Sequence, residues 1–276
     1  MKKKISLLLV AVMVLSLVLT ACGGSETPTP EDSNDDGQLT IQSIKDKGQI
    51  VLGTAADYPP FEFHALIDGK DEIVGFDIEI AKYIADELGV ELVIEDMEFD
   101  KLLGGLATGM LDFVIAGMNP DPERAANFSD IYYEANLAVL VTKDNTEIST
   151  VEDLDGKSLG VQIGTTQEDV ARETINDADV RALGTNADII MNLKTNKIDA
   201  AIMETPVADS YASVNDDIMV VEALVLDSGS DGVAVALKEG NDELTEAINE
   251  MLADMKEQGL IEQWFVEANE LVSESL

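Results

Sequence analysis

Short apolar runs alternate with amphipathic helical segments along most of this chain, and this alternation limits the folds open to it. The runs at 49–55, 90–96 and 111–117 are apolar along most of their length, and the segment at 76–89 carries apolar residues at helical spacing. Continuously apolar strands are typical of parallel sheets with helices on both faces. A second set of such runs begins at 135–143. The sequence therefore predicts an α/β fold made of two sheet-and-helix units.

The chain is expected to pass between the two units twice, near 136–143 and near 228–238. Both segments are predicted to be extended, and an extended segment can twist as a hinge without unfolding. The C-terminal helices are expected to return to the first unit. This interpretation gives a first lobe of residues 39–137 plus 232–276 and a second lobe of residues 138–231.

The N-terminal residues have the pattern of a secretory signal peptide. Three lysines at 2–4 precede an apolar run, and residues 19–22 read Leu-Thr-Ala-Cys. This ending resembles the lipobox of bacterial lipoproteins, which implies a signal peptide of residues 1–21 and lipidation of Cys22, the only cysteine. The alternatives are a plain signal peptide or a single membrane anchor, but the apolar run is short for a membrane span.

The segment that follows the cysteine is polar throughout. Residues 23–38 contain Gly, Ser, Thr, Pro, Asn, Gln and acids but no large apolar side chain. Such a segment cannot bury enough apolar surface to order itself. Residues 22–38 are therefore predicted to be a lipidated cysteine and a disordered tether, which would anchor an extracytoplasmic domain to the bacterial cell membrane.

The chain is strongly acidic, with 55 Asp and Glu against 17 Lys and Arg and a formal net charge of −38. Loss of the first 21 residues removes three lysines and no acids, so the net charge becomes −41. This charge argues against nucleic acids and anionic lipid surfaces as partners. Solubility, or adaptation to a salty or acidic habitat, accounts for the acidity. The net charge of the chain does not indicate the charge of a ligand.

Polar and aromatic residues follow the predicted strands. In open α/β sheets, ligands bind beyond the carboxyl ends of strands. The residues found after the strand ends are Asp57, Tyr58, Asn119, Arg124, Thr165, Thr166, Gln167, Glu168 and Glu204. Together they offer a guanidinium, a helix start, a carboxylate and an aromatic face. An α-amino acid has one carboxylate and one ammonium group, and this set matches both.

Each charged or capping residue in this set has a physical role toward such a ligand. Arg124 can grip a carboxylate with two hydrogen bonds, which lysine cannot. Thr165 and Glu168 have capping-box spacing, so a helix is expected to begin at about Thr166, with its positive end toward the same carboxylate. Glu204 would pair with the ammonium group, because a buried ion requires a partner.

Every one of these residues also has a plainer interpretation. Tyr58 and Phe99, proposed to cover the ligand side chain, could belong to the apolar core. Arg124 could form a surface ion pair with a nearby acid. Thr166 could be a capping residue only, and Glu204 could be a solvated loop acid. Their shared location at strand ends favours a common site.

Several longer motifs resemble one protein family. The run Gly-Phe-Asp-Ile-Glu-Ile at 75–80 and the segments 57–63, 153–169 and 197–208 are similar to family 3 extracellular solute-binding proteins of bacterial ABC importers, over about residues 40–270. The resemblance implies a two-lobed, periplasmic-binding-protein-like (type II) fold with two hinge strands. It also implies a monomer that closes on a polar L-amino acid, needs no cofactor, and delivers the ligand to a membrane permease.

Carried over residue by residue, the family's ligand contacts fall on Asp57, Tyr58, Phe99, Gly117, Asn119, Arg124, Thr166 and Glu204. The chain departs from the family pattern at several of these positions. Many members carry Asp where Glu204 stands, and Asn119 replaces a more usual Ser or Thr. Members that bind glutamine or basic amino acids often have Asp at the position of Ala55, and Asp57 is the candidate to replace it. The segment after Arg124 is shorter than in the family pattern.

Two other functions stay open from the sequence. The first is an enzyme on the same fold, resembling cyclohexadienyl or arogenate dehydratase. The only histidine, His64, lies in what reads as a polar surface turn, and Cys22 is assigned to lipid, so no nucleophile-and-base pair is evident. The second is a ligand-sensing input protein, which would require a signalling partner. The scarcity of His and Cys disfavours a metal site, and no Gly-rich nucleotide motif is present.

Overall fold

The computed structural model describes residues 39–275, and these residues belong to a single compact unit, Gln38–Leu276. The predicted signal peptide (1–21) and the predicted lipidated cysteine and tether (22–38) lie outside the described residues. The helices are α1 (Ile41–Lys47), α2 (Phe76–Leu88), α3 (Phe99–Thr108), α4 (Thr166–Thr174), α5 (Asn186–Lys194), α6 (Thr205–Val214), α7 (Asp242–Glu257) and α8 (Leu260–Ser275). Among them, no helix combines the length and the apolar character that crossing a membrane requires.

The strands are β1 (Gln49–Thr54), β2 (Asp57–Tyr58), β3 (Glu62–Ile67), β4 (Lys70–Val74), β5 (Glu91–Asp96), β6 (Phe113–Val114), β7 (Ala126–Phe128), β8 (Leu137–Thr142), β9 (Ser158–Gln162), β10 (Asp179–Leu183), β11 (Ala200–Glu204), β12 (Ile218–Leu226) and β13 (Ala236–Lys238). They form two five-stranded sheets and one small three-stranded sheet. The predicted alternation of strands and helices in two units is confirmed.

The first sheet has the strand order β5–β1–β6–β13–β7. Strand β1 lies inside it, parallel to β5 and β6, and this explains its continuously buried residues. Strand β5 lies at the edge and is only half-buried, because an edge strand has one sheet neighbour. Helix α2 covers the sheet with its apolar face and ends at Gly89, whose φ of 71° places it in the left-handed conformation.

The second sheet has the order β10–β9–β11–β8–β12. Strand β9 runs parallel to β10 and β11, as the apolar runs predict. Strand β8 runs antiparallel to both β11 and β12. The sheet is therefore mixed, and the antiparallel strand is the one that enters directly from the first sheet without a crossover helix.

The third sheet is an antiparallel arrangement of β2, β3 and β4, which the sequence analysis did not predict. Along β3, Phe63 and Ala65 are buried while His64 and Leu66 are exposed, which is the period of a half-covered strand. His64 therefore lies on a strand, and its assignment to a turn was wrong. The turn comes later, at Asp68 and Gly69, whose φ angles of 52° and 78° suit a tight hairpin.

The chain passes between the large sheets twice, from β7 to β8 and from β12 to β13. The two connections lie side by side, because Tyr133 and Val233 form an isolated antiparallel bridge with an N–H to oxygen distance of 2.9 Å. Residue 232 has to be glycine, since a Cβ there would lie 2.1 Å from the Tyr133 carbonyl oxygen. Pairing of this kind gives the two lobes a double-stranded connection.

We call the part built on the first and third sheets lobe 1, and the part built on the second sheet lobe 2. Helices α7 and α8 return to lobe 1, as predicted. Phe265 packs on Phe76 with ring centres 5.5 Å apart, and Trp264 packs on Tyr83 at 6.2 Å. The residue boundaries 39–137 plus 232–276 and 138–231 stay a prediction.

Candidate functional site

A narrow cavity lies between the two lobes. Its walls come from the ends of strands and from the start of one helix, as expected for an α/β sheet protein. The lining residues are Ala55, Tyr58, Glu62, Phe99, Ala116, Gly117, Asn119, Arg124, Gln162, Thr165, Thr166 and Gln167.

Two aromatic rings form the apolar walls of the cavity. Tyr58 and Phe99 are nearly buried, with exposures of 6% and 7%, and both belong to apolar clusters as well as to the cavity wall. Gly117 lets the Tyr58 ring approach, because a Cβ at Gly117 would lie 2.8 Å from Tyr58 Cε1. The guanidinium carbon of Arg124 lies 5.6 Å from the centre of the Phe99 ring, within cation–π distance.

Arg124 reaches the cavity from lobe 1 and touches lobe 2. Its Nη2 donates to the carbonyl oxygen of Gly164 at 3.1 Å. Its Nη1 is buried and has no hydrogen-bond partner among the described residues. Burial lowers the pKa of Arg124, against the opposing effect of Asp121 and Asp169. A buried cationic N–H without an acceptor is costly, and an anion at this position would remove that cost.

The start of α4 faces the same cavity. The helix begins at Thr166, as predicted, and the Thr165 side chain caps it by accepting from Glu168 N. Glu168 Oε2 in turn accepts from Gly164 N at 2.9 Å. The Thr166 hydroxyl donates to Asn119 Oδ1 at 2.7 Å, across the two lobes. The positive helix end and Arg124 therefore lie at one cavity.

Glu204 ends strand β11 and is fully buried, so its interpretation as a solvated loop acid was wrong. Its Oε2 accepts from Gln167 Nε2, while its Oε1 is buried without a partner among the described residues. Tyr58 OH also joins this group, accepting from Gln167 Nε2 at 3.0 Å and from Glu204 N at 3.4 Å. Burial raises the pKa of Glu204 to about 8. A nearby cation would bring this carboxyl back to its ionised form.

A second buried carboxyl, Glu62, lines the cavity. It is completely buried on β3, and neither of its oxygens has a hydrogen-bond donor among the described residues. Burial, followed by the nearby charge of Asp77, raises the pKa of Glu62 well above its usual range. Asp77 accepts from Gly117 N at 2.9 Å and from Tyr132 OH at 2.8 Å, and burial raises its pKa to about 6. The two carboxyls can hydrogen-bond to each other only by sharing a proton.

The family is identified by comparison with known proteins. Residues 50–267 match the sequence model of one protein family, the bacterial extracellular solute-binding proteins, family 3. The chain belongs to this family. It is 36% identical over 274 residues to the arginine-binding extracellular protein ArtP of Bacillus subtilis, covering 95% of this chain and 98% of ArtP. The resemblance found in the sequence is thereby confirmed.

Solved structures of similar proteins agree. AbpA of Streptococcus pneumoniae, an amino acid ABC transporter substrate-binding protein bound to L-arginine, matches with a TM-score of 0.80 and 36% identity, covering 84% of this chain and 98% of that chain. The ancestral amino-acid-binding protein AncCDT-1, a precursor of cyclohexadienyl dehydratase, matches with a TM-score of 0.73 and 34% identity, covering 82% and 99%. The two-lobed fold predicted for this chain is confirmed.

In this family 3 solute-binding protein, the structure brings most of the expected residues together. Tyr58, Phe99, Gly117, Asn119, Arg124 and Thr166 line the cavity, and Glu204 contacts it through Gln167. Asp57 does not line the cavity, because its carboxylate is bonded to Asn186 instead. The short segment after Arg124 still lets that side chain reach the cavity. Whether these residues bind a ligand stays a prediction.

Three polar cavity residues had received no ligand role from the sequence: Glu62, Gln162 and Gln167. Gln167 was noted after the strand end but received no role. Glu62 had no usable signal, since an acid between two phenylalanines, Phe61 and Phe63, has the alternation of a half-exposed strand and would be expected to face solvent.

His64 lies apart from the cavity lining, on the exposed side of β3. Its Nδ1 is 3.0 Å from Asp71 Oδ1, and its Nε2 is 3.3 Å from Asp96 Oδ2. These acids raise the pKa of His64 against the opposing effect of burial. Within residues 39–275, no group of three or more His, Cys, Asp or Glu side chains could hold a metal ion.

Proposed function

We propose that this protein is the substrate-binding component of an ABC importer and that its ligand is an L-amino acid with a cationic side chain, arginine foremost. One observation carries the proposal. Around one cavity, Arg124 leaves an N–H without an acceptor, while Glu204 and Glu62 leave carboxylate oxygens without donors. The ligand that complements this set has one anionic group and two cationic groups.

The groups of arginine or lysine match these partners one by one. The α-carboxylate would accept from Arg124 Nη1 and from the start of α4. The α-ammonium would donate to Glu204 Oε1. The side-chain cation would lie between the aromatic rings and donate to Glu62. With a neutral ligand side chain, Glu62 would keep only a proton-sharing contact with Asp77.

The named relatives support the same ligand class. ArtP is called arginine-binding, and AbpA was solved with L-arginine bound. The similarity to each of these two proteins extends over most of the length of this chain. The ligand of a relative does not by itself fix the ligand of this chain, so Glu62 is the internal reason to favour a cation.

We further propose that the domain is held outside the cell by lipid. The Leu-Thr-Ala-Cys ending supports cleavage after residue 21, lipidation of Cys22 and a tether through residue 38. The family description as extracellular supports the same location. A monomer with lobes of residues 39–137 plus 232–276 and residues 138–231 would then present its closed form to a membrane permease.

A binding function without catalysis is favoured over the dehydratase alternative. The likeness to AncCDT-1, a precursor of cyclohexadienyl dehydratase, keeps that alternative testable. The pairing of each charged cavity group with a ligand charge leaves none of them free as an acid or base. A sensory role would use the same binding step and would differ only in the partner protein.

The test is a ligand panel on the chain from residue 39 onward, which contains the described compact unit. Thermal shifts and calorimetry would compare arginine, lysine, ornithine, citrulline, glutamine and cystine. A ligand at 100 times its Kd is expected to stabilise the fold by about 2.7 kcal/mol. Stabilisation by none of the common amino acids would refute the proposal, and turnover of prephenate or arogenate would favour the enzyme.

A further inference from the structure

Asp57 belongs to lobe 1, but its carboxylate is bound by lobe 2. Its Oδ2 accepts from the backbone N–H of Asn186 at 2.6 Å, and its Oδ1 accepts from Asn186 Nδ2 at 3.2 Å. Asn186 is the first residue of helix α5 and is only 1% exposed. A carboxylate at a helix start satisfies a free N–H group and meets the positive end of the helix dipole.

The main chain of the same residue is also bound by lobe 2. Tyr211, on helix α6, donates its hydroxyl to the carbonyl oxygen of Asp57 at 2.8 Å. The amide of Gln162 lies beside the Asp57 carboxylate as well. Two helices and one strand of lobe 2 therefore converge on a single residue of lobe 1.

This contact differs from three other hydrogen bonds between the lobes. Arg124 to Gly164, Thr166 to Asn119 and Gln167 to Tyr58 each use at least one residue that lines the cavity. Asp57, Asn186 and Tyr211 do not line it, whereas Gln162 does. The bond between Asp57 and Asn186 can therefore be removed without removing a ligand contact.

We propose that Asp57 is a positioning residue that latches lobe 1 to the start of α5 in the closed form without touching the ligand. The inference rests on the proposed function, since it assumes that the lobes separate to release a ligand. A contact made only in the closed form favours closure by the same amount whatever ligand is bound. Its loss should weaken all ligands by one common factor, mainly through faster dissociation.

The test compares Asp57→Ala with Asp155→Ala in the chain from residue 39 onward. Asp155 accepts from Asn176 N at 3.0 Å and from Asn176 Nδ2 at 3.2 Å, so it has the same chemistry, but both residues lie in lobe 2. Calorimetry would give Kd for arginine, lysine and ornithine, stopped-flow would give dissociation rates, and X-ray scattering would follow closure on adding arginine.

For Asp57→Ala we expect about tenfold weaker binding of each ligand, the effect of about 1.4 kcal/mol. The dissociation rate should rise by a similar factor, the ratio of arginine to lysine affinity should stay unchanged, and closure should need more ligand. Asp155→Ala should bind like the unmodified chain. An unchanged Kd in Asp57→Ala, an equal loss in Asp155→Ala, or a loss confined to one ligand would each overturn the latch.

A second variant covers a failure of Asp57→Ala to fold. Asn186→Ala removes the Nδ2 donor but keeps the backbone N–H, so a smaller loss, again common to all ligands, is expected. An unchanged Kd there would also overturn the latch. If the unmodified chain binds no amino acid, the proposed function falls together with the latch. If the unmodified chain binds an amino acid and the Asp57 and Asn186 variants bind it with the same Kd, only the latch proposal is refuted.

Discussion

Replacing Glu62 with Gln removes one buried negative charge while keeping almost the same shape. The carboxyl is fully buried, lines the cavity and has no hydrogen-bond donor among the described residues. If arginine donates its guanidinium to Glu62, the variant loses a hydrogen bond between charged groups, which is worth about 1.5–3 kcal/mol. That range corresponds to about 10- to 150-fold weaker arginine binding.

Binding of citrulline shows whether the effect of the Glu62 substitution depends on the charge of the ligand. Citrulline has nearly the shape of arginine but a neutral end group, so it should lose little or gain slightly when Glu62 becomes Gln. The difference between the two ligands in the two proteins is a coupling free energy of the kind that double-mutant cycles measure. We expect that coupling to exceed about 1 kcal/mol, because the pair is buried and screened little by salt.

The same substitution should have the opposite effect on the ligand-free protein. Burial holds the pKa of Glu62 well above its usual range, so near pH 7 the folded state carries either an unfavourable charge or an unfavourable proton. A neutral amide avoids this cost, and Glu62→Gln is expected to raise the Tm without ligand while weakening arginine. If Glu62 had only a structural role, its replacement would lower both the Tm without ligand and the affinity for arginine.

Calorimetry with arginine and citrulline, together with thermal unfolding without ligand, tests these expectations. Glu72→Gln is the matched control, because it changes the same charge at an exposed position of the same three-stranded sheet. Equal losses for arginine and citrulline in Glu62→Gln would refute the charge pairing. Unchanged arginine affinity would remove Glu62 from the ligand site altogether.

Two further predictions concern the other charged groups of the cavity. Arg124→Lys should keep the fold but lose a charged hydrogen bond worth about 1.5–3 kcal/mol, which calorimetry would detect for every amino acid, and unchanged affinity would remove Arg124 from the site. The Tm without ligand should fall as pH rises, because the folded state holds protons on Asp77 up to about pH 6 and on Glu204 up to about pH 8. The stability that these protons contribute is fully present below the ordinary pKa values of 3.8 for Asp77 and 4.5 for Glu204. It is lost as the pH rises through the folded-state pKa values of about 6 and about 8. Saturating arginine should flatten the fall by pairing with Glu204, and a Tm that is level or rises from pH 5 to 8 without ligand would contradict the assignment.

The sequence predicted those parts of the molecule that depend on local pattern. The helix from Phe76 to Leu88 follows from its apolar spacing and its glycine stop. The start of α4 at Thr166 follows from the capping spacing of Thr165 and Glu168. The location of Arg124 at the end of a buried strand follows from the sheet rule, which fixes the end of the sheet but not the direction of a side chain.

Features that depend on packing between distant segments were not accessible in the same way. With 55 Asp and Glu in the chain, composition does not single out the few that are buried. Glu62 is buried because β3 pairs in a hairpin beside the cavity. The short strand β2 gives too few residues for a periodicity to be recognised.

Strand pairing nevertheless explains why Glu62 lies in the cavity and Asp57 lies outside its lining. Successive residues of a strand point to opposite faces, so Tyr58 and Asp57 cannot both face one cavity from β2. Tyr58 pairs directly with Glu62, and paired residues share a face, so the ring and the carboxyl line the cavity together. Asp57 pairs with Phe63 on the other face, where it meets the start of α5. One register thus separates a residue that would select the ligand's charge from one that would hold the lobes together. The charge of Asp57 nevertheless adds to the causes that raise the pKa of Glu62, so the effects of the Glu62 and Asp57 variants on arginine binding should be partly coupled.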